Sequence, residues 1–467
     1  MKKIFAWKAV MAFVLVLPTL AQAAEVPRSF AGLAEKLLPS VVNVSTTQKM
    51  TSSGRTKTEQ CPLPPWVPQR LEATSLGSGF VIDSARGYVV TNNHVIDDAR
   101  EISVILQNGS TLKAEVAGRD RKTDIAVLKV AGKLPSALAW GDSDTARVGD
   151  WTLAIGNPFG LGGSVTAGII SARARDINAG PYDDFLQTDA SINHGNSGGP
   201  LFNMGGEVIG INTALYSPSC GSVGIGFAIP SSLARPLILQ IINRGRAMRG
   251  WIGVNIQDVT DGIAESLGMN APVGAMVSGI SEGGPAEAAG IAVGDVIIHF
   301  DGKNVPDVHH LPRMVADAEI GSKVDLDVLH NGKGKTLSVR VGELPPDDGR
   351  GKALPAIGDA GKDRPGKLED FGLIISALDD AARKQLGLAR EVRGVLVVTV
   401  DEAGVAAERD LQVGDVIQSV GMENVSSVAE VVAKVKRAKD AGRMQVLLLV
   451  VRGSSSLFVT LPFPGKE

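Results

Sequence analysis

A mainly β fold is predicted, a barrel or sandwich followed by two copies of a smaller module, and three observations carry it. Between Leu76 and Pro230 the chain is a succession of short apolar or alternating segments bounded by Gly, Asn and Asp. Close, even spacing of such segments is the signature of an all-β barrel or sandwich. An amphipathic helix then follows, and beyond it one pattern occurs twice.

The strands are read in order as LGSGFVID, GYVVTNNHVI, EISVILQNG, IAVLKV, WTLAIGNP, SVTAGIISA, FLQTD, GPLF, EVIGINT and GFAIP. Ser231 and Ser232 open the helix, Leu233, Leu237 and Ile241 recur at four-residue spacing along it, and Gly245 stops it. In the remainder, IAVGDVI at Ile291 to Ile297 returns as LQVGDVI at Leu411 to Ile417, and GAMVSGI at Gly274 returns as GVLVVTV at Gly394. Both pairs are 120 residues apart. The stretch between the copies is rich in Gly, Pro and charge, the composition of a mobile linker.

Length agrees with this division, since 467 residues at roughly 150 per domain give about three. The expected boundaries are a leader at 1–23, a first domain at 24–246, modules at 247–342 and 367–467, and a linker at 343–366. In the leader, Lys2 and Lys3 precede an apolar run through Val14, Leu15 and Val16, and Ala21, Gln22 and Ala23 form a small-x-small cleavage site. Lys8 and Pro18 shorten the apolar core below the roughly 20 residues a membrane span needs, so cleavage following Ala23 and export are expected. A formal net charge of −3, with 47 basic and 50 acidic residues spread along the chain, argues against a nucleic-acid partner.

Chemistry is concentrated in three motifs. TNNHVI holds His94, TDIAVL holds Asp124, and GNSGGP holds Ser197. A serine hydroxyl is a poor nucleophile near neutral pH, so acyl transfer needs a base to take its proton and a carboxylate to orient the base. His94, Asp124 and Ser197 supply these roles, in the chain order His, Asp, Ser. Asp120 and Asp142 compete for the orienting role, but Thr123 and the IAVL strand favour Asp124. The amides of Gly195, Asn196 and Ser197 are the expected oxyanion hole. GNSGG also fits the nucleophile elbow of α/β-hydrolases, yet that elbow needs a helix after the serine and an acid and a histidine later in the chain. Here two short strands follow.

Other candidates are weaker. His194 lies three residues from Ser197, too close in one loop to be its base, and His309 and His310 read as solvated surface rather than metal ligands. No metal or cofactor is expected. Ala190, Ser191, Ile192 and Asn193 precede the nucleophile without an acid, so the first subsite reads as neutral. Ile192 with Val223, Ile225 and Phe227 would line it, favouring Val or Ala before the scissile bond. Cys61 and Cys220 either form one disulfide in an oxidising compartment or stay as two thiols. Each module opens on an apolar-Gly-apolar step: Trp251, Ile252, Gly253 and Val254 in the first, Phe371, Gly372 and Leu373 in the second. Such a step lets backbone amides converge on a peptide carboxylate while the adjacent strand edge pairs with the peptide.

In LGSGFVI, TNNHV, DIAVLK, AIGNPFG, QTDASIN, GNSGGPL, GFAIP, RGWIGV and the two GDVI units, the chain resembles the HtrA family of serine proteases. The closest likeness is to its exported two-PDZ members of the DegP, DegQ and MucD type, over nearly the whole mature chain. That resemblance implies a chymotrypsin-like double β-barrel, a His94–Asp124–Ser197 triad, and two PDZ domains that bind peptide ends. It also implies a homotrimer or higher assembly and ATP-independent degradation of misfolded periplasmic proteins. Two features depart from the family pattern: the segment from Gln48 to Thr74 is short, and His194 stands where Arg or Pro is expected. The rival reading is a holdase chaperone or peptide-sensing scaffold with secondary proteolysis.

Overall fold

The computed structural model describes residues 28–48, 74–156, 163–177, 179–193, 195–215, 222–330, 332–345, 365–388, 392–453 and 455–464. The expected leader, Cys61, Cys220, His194 and most of the linker lie outside the described residues.

Helix α1 (Ala31–Leu37) leads into six strands, β1 (Val41–Gln48), β2 (Thr74–Asp83), β3 (Tyr88–Asn92), β4 (Ala99–Ile105), β5 (Thr111–Asp120) and β6 (Ile125–Val130). They close a barrel in the order β1-β2-β3-β6-β5-β4, because β1 pairs with β2 on one side and β4 on the other. The second barrel is built from β7 (Trp151–Gly156), β8 (Ser164–Arg175), β9 (Phe185–Thr188), β10 (Pro200–Phe202), β11 (Val208–Leu215) and β12 (Gly226–Pro230). Its order is β10-β11-β12-β9-β8-β7, closed where Leu201 of β10 meets Ala154 of β7. A one-turn helix, α2 (Asn93–Ile96), follows β3, and α3 (Ser231–Arg244) follows β12.

Period-two alternation decides what each barrel buries. Along β6, Ala126 and Leu128 point into the first barrel, while Ile125 and Val127 point into the layer between the barrels. Along β7, Ala154 points into the second barrel, and Leu153 and Ile155 meet the same layer. The chain therefore has two barrel interiors and one shared core. Phe80, Phe202, Val208 and Ile211 complete that core, and α3 covers it with Ala234, Leu237, Ile238 and Ile241. The helix ends at Gly245, left-handed at φ 74°, as its sequence predicts.

The two modules share one strand order. In the first it runs Val254–Asp258, Ala275–Ile280, Val296–Phe300, Lys323–His330, Lys333–Arg340, with helix His310–Asp317 across it. In the second it runs Leu373–Ala377, Val395–Val400, Val416–Val420, Gln445–Arg452, Ser455–Pro462, with helix Val428–Asp440. The second sheet carries one strand more, Gly366–Leu368, on the outer side of Leu373–Ala377. The repeat seen in the sequence is thus a repeat of fold.

The modules also pack on each other. Val259, Ile263, Ala264, Met276 and Val296 of the first share an apolar core with Leu447, Leu449 and Phe458 of the second. Gln257 donates to the Phe458 carbonyl at 3.0 Å and accepts from its amide at 2.6 Å, and Gln445 donates to the Gly262 carbonyl at 3.1 Å. Among the described residues no helix is long and apolar enough to cross a membrane.

Candidate active site

Each functional side chain sits at the end of a strand where the two barrels face each other. His94 lies on α2, just beyond β3; Asp124 immediately precedes β6; Ser197 lies in the turn before β10. His94 Nδ1 is 2.6 Å from Asp124 Oδ2, and the His94 amide donates to Asp124 Oδ1 at 2.8 Å. Backbone and ring are therefore held by the same carboxylate. Asp124 is a left-handed non-glycine residue at φ 56°, a conformation that persists only where its surroundings over-determine it. Its carbonyl accepts from Asn92 Nδ2 at 2.8 Å and from the Asn93 amide at 3.0 Å.

Thr213, on β11, completes the arrangement. Its hydroxyl donates to Asp124 Oδ2 at 2.8 Å, and its carbonyl accepts from Ser197 Oγ at 3.3 Å. The Asp124–His94 half of the candidate triad is closed, while the Ser197 hydroxyl rests on Thr213 rather than on His94. Unliganded sites commonly show this looseness and tighten around substrate.

The turn that carries Ser197 is pinned from β2. The Ser78 amide donates to the Ser197 carbonyl at 2.8 Å, and Ser78 Oγ donates to the Gly195 carbonyl at 2.6 Å. Gly195 takes φ 100°. The Asn196 amide donates to the Asn193 carbonyl at 3.0 Å, whereas the amides of Gly195 and Ser197 have no acceptor among the described residues. Of the three donors expected from sequence, Gly195 and Ser197 are available to an oxyanion and Asn196 is engaged.

The candidate subsite residues do not all converge. Ile192 is buried in the second barrel, 1% exposed, and a Cβ on Gly226 would lie 2.6 Å from its Cγ1, so β12 runs directly against it. Ile225 is half-buried beside that contact. Phe227 packs its ring edge-on to Phe185 at 6.2 Å, and Val223 is 49% exposed. The nearest acid, Asp189, accepts from the Ile169 amide at 2.7 Å on β8.

The competing acids have other work. Asp142 caps a short 3-10 turn through the Asp144 amide. Asp120 forms a bidentate pair with Arg249 at 2.8 and 2.6 Å, with side chains 8% and 7% exposed. The Arg249 guanidinium lies 4.5 Å from the centre of the Tyr182 ring. His309 and His310 are not merely solvated: His309 pairs with Asp176 of the second barrel, and His310 with Asp307 at 2.7 Å. No cluster of metal-ligating side chains occurs among the described residues.

In the first module, Trp251 is half-buried against Gly253, which takes φ 79°, and Ile252 is buried. The carbonyls of Ile252 and Gly253 accept from Ala286 and Ser281 at 2.7 and 2.8 Å, and their amides have no acceptor among the described residues. Val254 begins the edge strand. In the second module Phe371 is buried against Phe463 at 5.4 Å, Leu373 is buried, and Gly372 takes φ 70°. The aromatic residue there belongs to the core, not to a groove.

A closed Asp–His link, a serine on a glycine turn and two free amides between paired barrels define a trypsin-like serine peptidase. Residues 77–211 match the family model described as trypsin-like peptidase domain, and residues 250–341 match that of the PDZ domain. A protein of Brucella suis named "Probable periplasmic serine endoprotease DegP-like" is 46% identical over 388 residues, covering 83% of this chain and 73% of its own length. One of the same name from Pseudomonas fluorescens is 40% identical over 473 residues, covering 97% of each. Among solved structures, the HtrA-type protease AlgW with tripeptide superposes with TM-score 0.59 at 42% identity, over 69% of this chain and 99% of that one. The serine endoprotease from Yersinia pestis superposes with TM-score 0.51 at 38% identity, over 69% and 100%. The chain belongs to the HtrA family of serine endoproteases, in its DegP-like branch.

Proposed function

We propose that this endoprotease acts in the periplasm, after cleavage following Ala23, on unfolded or misfolded envelope polypeptides, without ATP and as a homotrimer or a larger assembly. The observation that carries the reading is the pairing of a His94–Asp124 dyad with a strand edge at Val254–Asp258 that is unpaired among the described residues. An extended, unfolded chain is the substrate that both features accept: a protease cleft and a PDZ edge each need exposed backbone.

In catalysis, Ser197 Oγ leaves the Thr213 carbonyl and attacks the scissile carbonyl carbon while His94 Nε2 takes its proton. Asp124 holds the ring tautomer that leaves Nε2 free to accept the proton. The amides of Gly195 and Ser197 receive the oxyanion. His94 then returns the proton to the leaving amine, and a water, activated by the same nitrogen, releases the acyl group. The wall formed by Ala190, Ser191 and Ile192 is uncharged, and Asp189 is already bonded to β8. Val or Ala before the scissile bond suits that wall better than Lys or Arg. The first module's loop amides, at Ile252 and Gly253, are the donors proposed for a peptide's terminal carboxylate.

The test is turnover of unfolded casein with identification of the products by mass spectrometry. Ser197→Ala is expected to lower kcat by a factor on the order of a million. Equal turnover by the two proteins would remove the assignment of the nucleophile. Products ending mainly in Lys or Arg would remove the reading of the subsite.

A further inference from the structure

The two modules differ at the edge where a peptide would dock. In the first, Val254–Asp258 is the outermost strand of its sheet among the described residues. In the second, the corresponding strand Leu373–Ala377 is already paired on that side. Gly366–Leu368 runs antiparallel to it, with Gly366 opposite Ile375, Lys367 opposite Ile374 and Leu368 opposite Leu373.

The fit of this short strand is close. Helix Val428–Asp440 forms the other wall, and a Cβ on Gly366 would lie 2.3 Å from Val428 Cγ1 and 3.3 Å from Ile375 Cγ1. Leu368 is buried in the core that contains Phe371, Leu373, Ile375, Val431 and Val435. Direction matters too. The strand runs so that Leu368 lies beside the Gly372 loop, the place and polarity of the last residue of a docked peptide. Where a terminal carboxylate would meet the loop, the Gly372 amide donates instead to the Glu369 carbonyl at 3.3 Å. Lys439, on the helix, holds the Asp370 carboxylate at 2.6 and 2.7 Å.

We propose that Gly366–Leu368 is an intramolecular ligand of the second module, a strap that fills its groove and leaves the first module as the one that takes peptide ends. An apolar side chain, a ladder of backbone pairs and a satisfied loop amide are all supplied by the chain itself. An outside peptide gains access to the second groove only by displacing the strap, a strand exchange that a covalently tethered competitor disfavours. The proposal rests on the reading that these modules recognise peptide ends.

The experiment uses the full chain carrying Ser197→Ala, a labelled pentapeptide ending in leucine with a free carboxylate, titration calorimetry for stoichiometry, and hydrogen exchange read by mass spectrometry. Adding Gly366→Val drives a branched side chain into Val428 and Ile375. The expected result is a rise from one peptide to two per chain, with exchange at 366–368 accelerated at least tenfold and helix Val428–Asp440 still slow. Two peptides per chain before that substitution would overturn the proposal, as would no gain in a variant whose strap exchanges freely. If Gly366→Val unfolds the module, seen as fast exchange through the helix, Leu368→Ala releases the strap without adding bulk and is judged by the same gain. A rise from none to one would support the strap while removing peptide capture from the first module.

Discussion

Thr213 connects two members of the proposed triad. Its hydroxyl donates to Asp124 and its carbonyl receives Ser197 Oγ. A hydrogen bond to a charged group contributes about 1.5–3 kcal/mol. Thr213→Val removes the hydroxyl at nearly constant shape, so kcat on a peptide substrate is expected to fall about 10- to 100-fold with KM little changed. Thr213→Ser is expected to restore most of it. A rise in KM with kcat unchanged would show that Thr213 acts on binding rather than on the carboxylate. The sequence nominates His94, Asp124 and Ser197 as the proposed triad because each lies in its own local motif. Thr213 was not legible, since the EVIGINT strand gives no sign of which alternate position meets an acid 89 residues earlier. Asn92 and Ser78 were hidden for the same reason: their partners are set by how the barrels meet.

At the scale of elements, the glycines after the nucleophile are where one barrel touches the other. A Cβ on Gly198 would lie 2.2 Å from the Ser78 carbonyl oxygen and 2.4 Å from Thr91 Oγ1, and one on Gly199 would lie 3.2 Å from Ser78 Cβ. Gly198 also takes φ 85°. Gly198→Ala is expected to cost about 1–2 kcal/mol from backbone handedness and about 1–3 kcal/mol more from overpacking. Gly149 has φ 95° and nothing within 4 Å of its Cβ position, so Gly149→Ala carries only the first part. Calorimetry of the two variants should show the larger drop in melting temperature for Gly198→Ala; equal drops would mean that the barrels separate easily there. Ten strands of the first domain were readable because alternation and turn residues bracket them. Strands β1, VVNVSTTQ, and β5, TLKAEVAGRD, were missed because their polar residues weaken the alternation. Gly366–Leu368 was missed because three residues at the end of a Gly- and Pro-rich stretch look like linker.

For the molecule as a whole, the buried pair Asp120–Arg249 joins the first barrel to the segment entering the first module. Burial works against the ionised carboxyl, but Arg249 and Thr123 outweigh it and hold Asp120 below its ordinary value of 3.8. A depressed acid contributes stability that is present above its unfolded value and is lost as pH falls through the folded one. The contact is therefore intact at neutral pH and weakens only below about 3.8. Asp120→Asn leaves Arg249 buried without its counter-charge, at a cost of about 3–5 kcal/mol. Limited proteolysis between residues 244 and 250 at neutral pH is expected to accelerate in the variant and not in the parent, with the difference shrinking in acid. Unchanged cleavage would show that the pair does not anchor the module. Nothing in the sequence marks a contact 129 residues apart; the domain order was readable, and the fastening was not.

The apolar face between the modules also bears on how the chain is made. Gln257 and Phe458 are 201 residues apart, so the first module is complete in the order of synthesis long before its cover. Domains emerge and fold from the N-terminus onward, and contacts this distant in sequence form late. Until then Ile263, Met276 and Val296 lack the cover of Leu447, Leu449 and Phe458, with which they share one apolar core. Under the proposed function the part-made chain is itself a substrate of the kind the protease accepts, and the arrival of Leu447, Leu449 and Phe458 ends that exposure.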